Sequence, residues 1–195
     1  MPITASTLRP RRAGGWPSLL PILQALTAEE IARYPDPWPL RDVIAALHSV
    51  PTERISITAG ADEAIRWAFN AFLEPGARVI IPRPTFGAFL SAAEAAGAFV
   101  DRVDYGDQLE LPWERFHKLL NPRTPRMVCI ANPNAPTGTA LTNEELLALA
   151  AASPTSLFLI NETFVAFHGR SLLDDGAGLS LPPNLLVLRS LSKDY

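Results

Sequence analysis

The chain has 195 residues, 48% of them hydrophobic and 19% charged, with a net charge of −3. That apolar share can bury a real core and excludes a disordered chain, and the weak acidic balance gives no electrostatic case for nucleic acid. One cysteine, Cys129, excludes an intrachain disulfide, and no apolar run reaches the ~18 residues of a membrane span, so a cytoplasmic protein with no membrane or nucleic-acid partner is expected.

Residues 1–17 read as irregular, with Pro2, Pro10, Gly14, Gly15 and Pro17, and the Arg9, Arg11, Arg12 cluster reads as a solvated tail. Leu19, Leu20, Ile22, Leu23, Leu26 and Ile31 then recur at helical spacing. Tyr34-Pro35-Asp36-Pro37-Trp38-Pro39 predicts an extended segment, because each proline disfavours helix in the residue before it. An amphipathic helix follows over 40–48. From there the pattern alternates: strands are predicted over 55–58, 79–81, 99–103, 127–131, 157–160 and 185–188, and helices over 61–72, 86–96, 112–120 and 143–151. Thr142 and Glu145 have the spacing of a capping box at the start of the last helix. The strand runs lack polar alternation, so both faces should be covered, as in a parallel sheet. The fold class is therefore α/β: a three-layer αβα sandwich around a mostly parallel sheet. Such sheets bind ligands beyond the C-terminal ends of their strands.

Chemistry is accordingly sought where strands end. Thr58-Ala59-Gly60-Ala61-Asp62-Glu63 is a glycine turn into a helix, whose backbone N–H groups can meet an anion; acidic capping of a helix start explains the same residues. Pro82-Arg83-Pro84-Thr85-Phe86-Gly87 places an aromatic ring at a stiff turn, where Phe86 can stack on a planar ligand or simply join the core. Asn132-Pro133-Asn134-Ala135-Pro136-Thr137-Gly138 is the most specific string, too irregular for helix or strand. Asn161-Glu162-Thr163-Phe164 ends another strand, and Arg189-Ser190-Leu191-Ser192-Lys193 ends the last. Among 17 basic residues only Lys118 and Lys193 are lysine. Lys193 is either a solvated lysine past a strand or an amine placed to attack an aldehyde. Cys129 sits in an apolar run and reads as core, and His48, His117 and His168 show no metal-ligand spacing.

In this order, ending in Ser-Leu-Ser-Lys, the strings resemble the class I/II pyridoxal-phosphate aminotransferases of fold type I, nearest the histidinol-phosphate aminotransferase group with its threonine-phosphate decarboxylase relatives. The resemblance spans roughly residues 34–195. It implies an N-terminal arm and helices over 1–48 and a cofactor-binding large domain over 49–195, incomplete here. The family's further phosphate-binding arginine and its substrate-gripping small domain would lie beyond Tyr195. By that likeness pyridoxal 5'-phosphate is the cofactor and Lys193 the Schiff-base lysine. Backbone amides of Ala61 and Asp62 and the Ser190 and Ser192 hydroxyls would hold the phosphate, Phe86 would stack on the pyridine, and Asn161 and Phe164 would stand against the ring. Tyr34 would reach across a homodimer to a partner's phosphate, and the substrates would be a small-molecule amino donor and acceptor.

The sequence departs from that pattern where the family touches the ring. The loop's second asparagine is replaced by Ala135, which has no donor; the family's aspartate aligns with Asn161, and its tyrosine with Phe164. A neutral amide cannot stabilise a pyridinium by charge, which weakens the ring as an electron sink. The Arg-rich lead-in also replaces the family's acidic, Asn-rich one. Two function classes follow: an aminotransferase (or a decarboxylase of the threonine-phosphate type), and a non-catalytic relative that keeps the fold. A dinucleotide-binding domain is disfavoured, since no Gly-x-Gly-x-x-Gly follows a strand.

Overall fold

Residues 19–120, 126–168, 170–174 and 180–193 are described by a computed structural model of the chain. The readings of residues 1–17 and their arginine cluster lie outside them. Among the described residues three helices come first, α1 (Leu19–Gln24), α2 (Ala28–Ala32) and α3 (Trp38–His48). Then follow α4 (Ala61–Phe72), β1 (Arg78–Arg83), α5 (Gly87–Ala95), β2 (Phe99–Asp104), α6 (Trp113–Leu119), β3 (Met127–Ala131), α7 (Asn143–Ala152), β4 (Leu157–Asn161) and β5 (Leu185–Leu188). The five strands form one sheet in the order β2-β1-β3-β4-β5, and every pairing is parallel.

Period-2 alternation along these strands feeds two cores, one on each face of the sheet. Ile80, Val128, Ile130, Phe158 and Ile160 join Phe116 of α6 and Leu146 and Leu149 of α7. Val79, Ile81, Met127, Cys129 and Leu159 join Ile65 and Phe69 of α4 and Phe89 of α5. The three-layer αβα arrangement follows from this division. All five residues of β3 are buried, which is why that strand reads as an unbroken apolar run. Each such Ile, Met or Phe contributes roughly 1.5–3 kcal/mol by leaving water. Cys129 is fully buried, burial pushes its thiol far above the ordinary range, and it serves as core.

Three expectations are corrected. The helical run over 19–31 is broken in two, because Thr27 adopts an extended conformation (φ −82°, ψ 158°) and caps a new helix. Its Oγ1 accepts the Glu30 N–H at 3.2 Å, and Glu30 Oε2 accepts the Thr27 N–H at 2.8 Å. Trp38 and Pro39 belong to α3 rather than to the extended segment; a proline in the first turn has no intrahelical N–H bond to lose. The strand expected over 55–58 does not form. Ile55 is extended (φ −110°, ψ 129°), but these residues border an apolar groove of about 890 Å³ rather than another strand. Without a neighbour ~4.8 Å away there is no ladder to join.

Candidate functional site

The sheet order reverses between β1 and β3: the chain runs outward to β2, then returns on the other side of β1 through β3, β4 and β5. Open α/β sheets bind ligands in the crevice that such a reversal leaves beyond the strand ends. A cavity of about 370 Å³ lies there, within the size range of small-molecule sites. Ala59, Gly60, Ala61 and Asp62 border it from the start of α4, and Phe86 from the exit of β1. Ala131, Pro133 and Ala135 border it after β3, Asn161, Thr163 and Phe164 after β4, and Ser190, Ser192 and Lys193 after β5. Eight of the nine residues singled out in the sequence thus share one cavity. Tyr34 does not border it and is fully exposed.

The α4 end of the cavity is built by Gly60, whose backbone (φ 85°, ψ 176°) lies where side chains are rarely tolerated. A Cβ there would meet no atom within 4 Å, so the torsion rather than crowding calls for glycine. Thr58 Oγ1 donates to Gly60 O at 2.9 Å, and Glu63 Oε2 accepts the Ala59 N–H at 2.5 Å. The first-turn N–H groups of the 12-residue α4 are left without intrahelical acceptors and lie at the positive end of the helix dipole.

At the β5 exit the Ser190 and Ser192 hydroxyls are 2.8 Å apart, and the Ser192 N–H donates to Ser190 Oγ at 3.2 Å. Lys193 follows them, exposed and on the cavity wall. The other lysine, Lys118, is paired with Glu114 at 2.7 Å on the exposed side of α6.

The loop after β3 is held by its two asparagines. Asn132 Nδ2 donates to Leu141 O at 3.0 Å, and Asn132 Oδ1 accepts the Leu141 N–H at 2.7 Å. Asn134, 2% exposed, donates to Pro84 O at 2.9 Å and accepts from Thr85 Oγ1 at 2.6 Å. The loop is thereby tied to the turn that carries Phe86. Phe86 meets Phe89 edge-on, with ring centroids 6.1 Å apart, and packs on the α4/α5 core while also bordering the cavity; both readings of this ring hold together.

Register aligns Ala131, Asn161 and Leu188 across three strands. Asn161 O accepts the Asn132 N–H at 2.9 Å, and the Glu162 N–H donates to Leu188 O at 2.8 Å, which locks the strand exits together. The Asn161 amide is held by Thr163, whose N–H and Oγ1 donate to Asn161 Oδ1 at 3.0 and 2.6 Å. Thr163 is a wall residue that sequence reasoning did not single out; an Asn with a Thr two positions on is the pattern of a side chain closing a turn on its own backbone, and was the available signal. Glu162 was missed too. Its carboxylate is fully buried and accepts from Ser171 Oγ and from the Leu172 N–H. Burial pushes it above the usual carboxylate range, while the bonds from Leu172 and Ser171 and the charge of Arg189 oppose the shift.

The arrangement can seat an anion at α4 and the serines, lay a planar ring beside Phe86, meet a polar ring atom at Asn161, and offer one amine, Lys193. The family described as "Aminotransferase class I and II" matches residues 18–195. The chain is 31% identical over 176 residues to histidinol-phosphate aminotransferase of Hydrogenobaculum sp. (strain Y04AAS1), covering 89% of this chain and 48% of that protein. It is 31% identical over 188 residues to histidinol-phosphate aminotransferase 2 of Ralstonia nicotianae, covering 93% and 49%. The structure of histidinol-phosphate aminotransferase from Sinorhizobium meliloti in complex with pyridoxal-5'-phosphate superposes with a TM-score of 0.78 at 26% identity, over 92% of this chain and 49% of that one. The chain spans about half the length of the relatives it matches. With its αβα sheet and the extent of that match, this chain belongs to the class I and II aminotransferases.

Proposed function

We propose that the chain carries the pyridoxal 5'-phosphate site of an aminotransferase acting on an amino acid or amino-phosphate, of the histidinol-phosphate type. The observation that carries this reading is the meeting of Lys193, the α4 N-terminus, the serine pair, Phe86 and Asn161 around one cavity. The donor set fits the cofactor: N–H groups and hydroxyls for a phosphate, a ring face for a pyridine, and an amine for an aldehyde. Bound pyridoxal phosphate supplies a ring that takes up negative charge from the carbon losing its proton.

The chain's residues then have definable tasks. Backbone N–H groups of Ala61 and Asp62, with Ser190 and Ser192 Oγ, bind the phosphate and fix its end of the ligand. Phe86 covers the ring and excludes water from that side. Lys193 Nζ would hold the cofactor by its aldehyde and, when not so engaged, would serve as the base that takes and returns the substrate's proton. Asn161 would offer its amide to a polar atom of the ring. Phe164 offers no hydroxyl and Ala135 no amide.

The reading extends to a cytoplasmic homodimer. Leu20, Ile22, Leu23 and Ile31 of α1 and α2 are 52–70% exposed, an apolar surface that a second copy would cover. Tyr34, next in the chain, would then serve the neighbour's phosphate.

Titration of the purified chain with pyridoxal 5'-phosphate tests the reading. A visible absorption band should appear in the wild type and be lost in Lys193→Ala, and histidinol phosphate should donate its amino group to a 2-oxo acid in the wild type alone. Cofactor uptake that is absent, or unaffected by Lys193→Ala, would overturn it.

A further inference from the structure

We propose that Asn161 acts as a hydrogen-bond donor in the cavity and selects a ligand whose ring nitrogen is unprotonated and neutral. The inference rests on the cofactor reading given above and assigns the state in which the ring is held. Asn161 ends β4, borders the cavity, and is 4% exposed. Its side-chain orientation is fixed by chemistry: the Thr163 backbone N–H, 3.0 Å away, can only donate, so the amide atom it meets must be Oδ1. Thr163 Oγ1 gives the same oxygen a second bond at 2.6 Å. Nδ2 is left as the amide's free face, with no hydrogen bond to any described residue.

A protonated ring nitrogen is itself a donor, and set against Nδ2 it would make a donor–donor pair with no bond. An unprotonated nitrogen is an acceptor and completes one. Charge points the same way. The carboxylate next in sequence, Glu162, is committed to Ser171 and Leu172, with Arg189 Nη1 3.9 Å from it. Asp62 is the sole carboxylate among the described residues that line the cavity, and it belongs to the α4 end.

The test is ring-nitrogen NMR of pyridoxal 5'-phosphate labelled with ¹⁵N and bound to the purified chain. A resonance in the pyridine range, shifting to the pyridinium range in Asn161→Asp, is the expected result. A pyridinium resonance in the wild type, with the cofactor attached to Lys193, would overturn this inference and leave the proposed function standing. Failure of the chain to hold the cofactor at all would overturn both. A second comparison needs no variant. An analogue with a ring C–H in place of the nitrogen should bind the wild type roughly tenfold more weakly than pyridoxal phosphate; equal binding would contradict the proposal.

Discussion

Arg189 Nη1 stands 3.9 Å from Glu162 Oε2, joining the residue that follows β4 to the residue that follows β5. Their neighbours in sequence, Asn161 and Ser190, border the cavity. A charge pair is thus placed directly behind two walls of the site. Glu162→Ala should destabilise the protein by roughly 3 kcal/mol, because it leaves the buried Ser171 hydroxyl and the Leu172 N–H without their acceptor. Glu162→Gln keeps an acceptor for that N–H and should cost less than half as much. Urea denaturation of the three proteins checks the order.

His48 supplies a pH dependence. Its pKa is lowered by burial and then by the nearby positive charge of Arg189, with Asp174 opposing. In the unfolded chain the imidazole takes up a proton below about pH 6.5, whereas the folded protein resists it. The unfolded state therefore binds more protons in that window, and stability is lost as the pH falls through it. The difference in Tm between wild type and His48→Asn should be flat from about pH 8 to about pH 7 and move against the wild type toward about pH 5. A constant difference would remove His48 from the account.

Gly60→Ala tests the α4 turn. The substitution meets no atom within 4 Å, so its effect comes from the torsion, at a cost of roughly 1–3 kcal/mol. Relief of that strain would rotate the first N–H groups of α4, and affinity for pyridoxal phosphate should fall with the stability. Isothermal titration alongside thermal unfolding separates the two effects. Loss of stability with unchanged cofactor affinity would count against the phosphate role of this turn.

Ala135→Asn tests the altered loop. Ala135 is half-buried and borders the cavity, while the loop around it is fixed by Asn132 and Asn134. Added at a position already held in place, one new donor should tighten cofactor binding by about tenfold. Fluorescence titration measures it.

Much of this was legible in the sequence, for physical reasons. β3 and β5 begin and end at the predicted residues because their apolar runs are bounded by polar turns, and Thr142 with Glu145 marks the start of α7 through a local bond pair, 3.2 and 2.8 Å. Residues 55–58 misled because strand formation needs a neighbour that no local pattern reports. The split at Thr27 was written in the sequence as a capping box but outweighed by the apolar spacing that continues from Leu26 to Ile31. For the site, the strings at strand exits stood out because proline, glycine and asparagine interrupt apolar runs. The Thr163 hold on Asn161 and the Glu162–Arg189 pair did not, the latter because its partners are brought together only by the pairing of β4 with β5.

Lys193, on the cavity wall, is proposed as the amine that takes the cofactor. Borohydride reduction of the chain mixed with pyridoxal 5'-phosphate, followed by peptide mass spectrometry, tests it most directly. One modified peptide is expected, carrying the cofactor on Lys193, with Lys118 unmodified at stoichiometric cofactor. Labelling divided evenly between Lys118 and Lys193, or absent from Lys193, would contradict it.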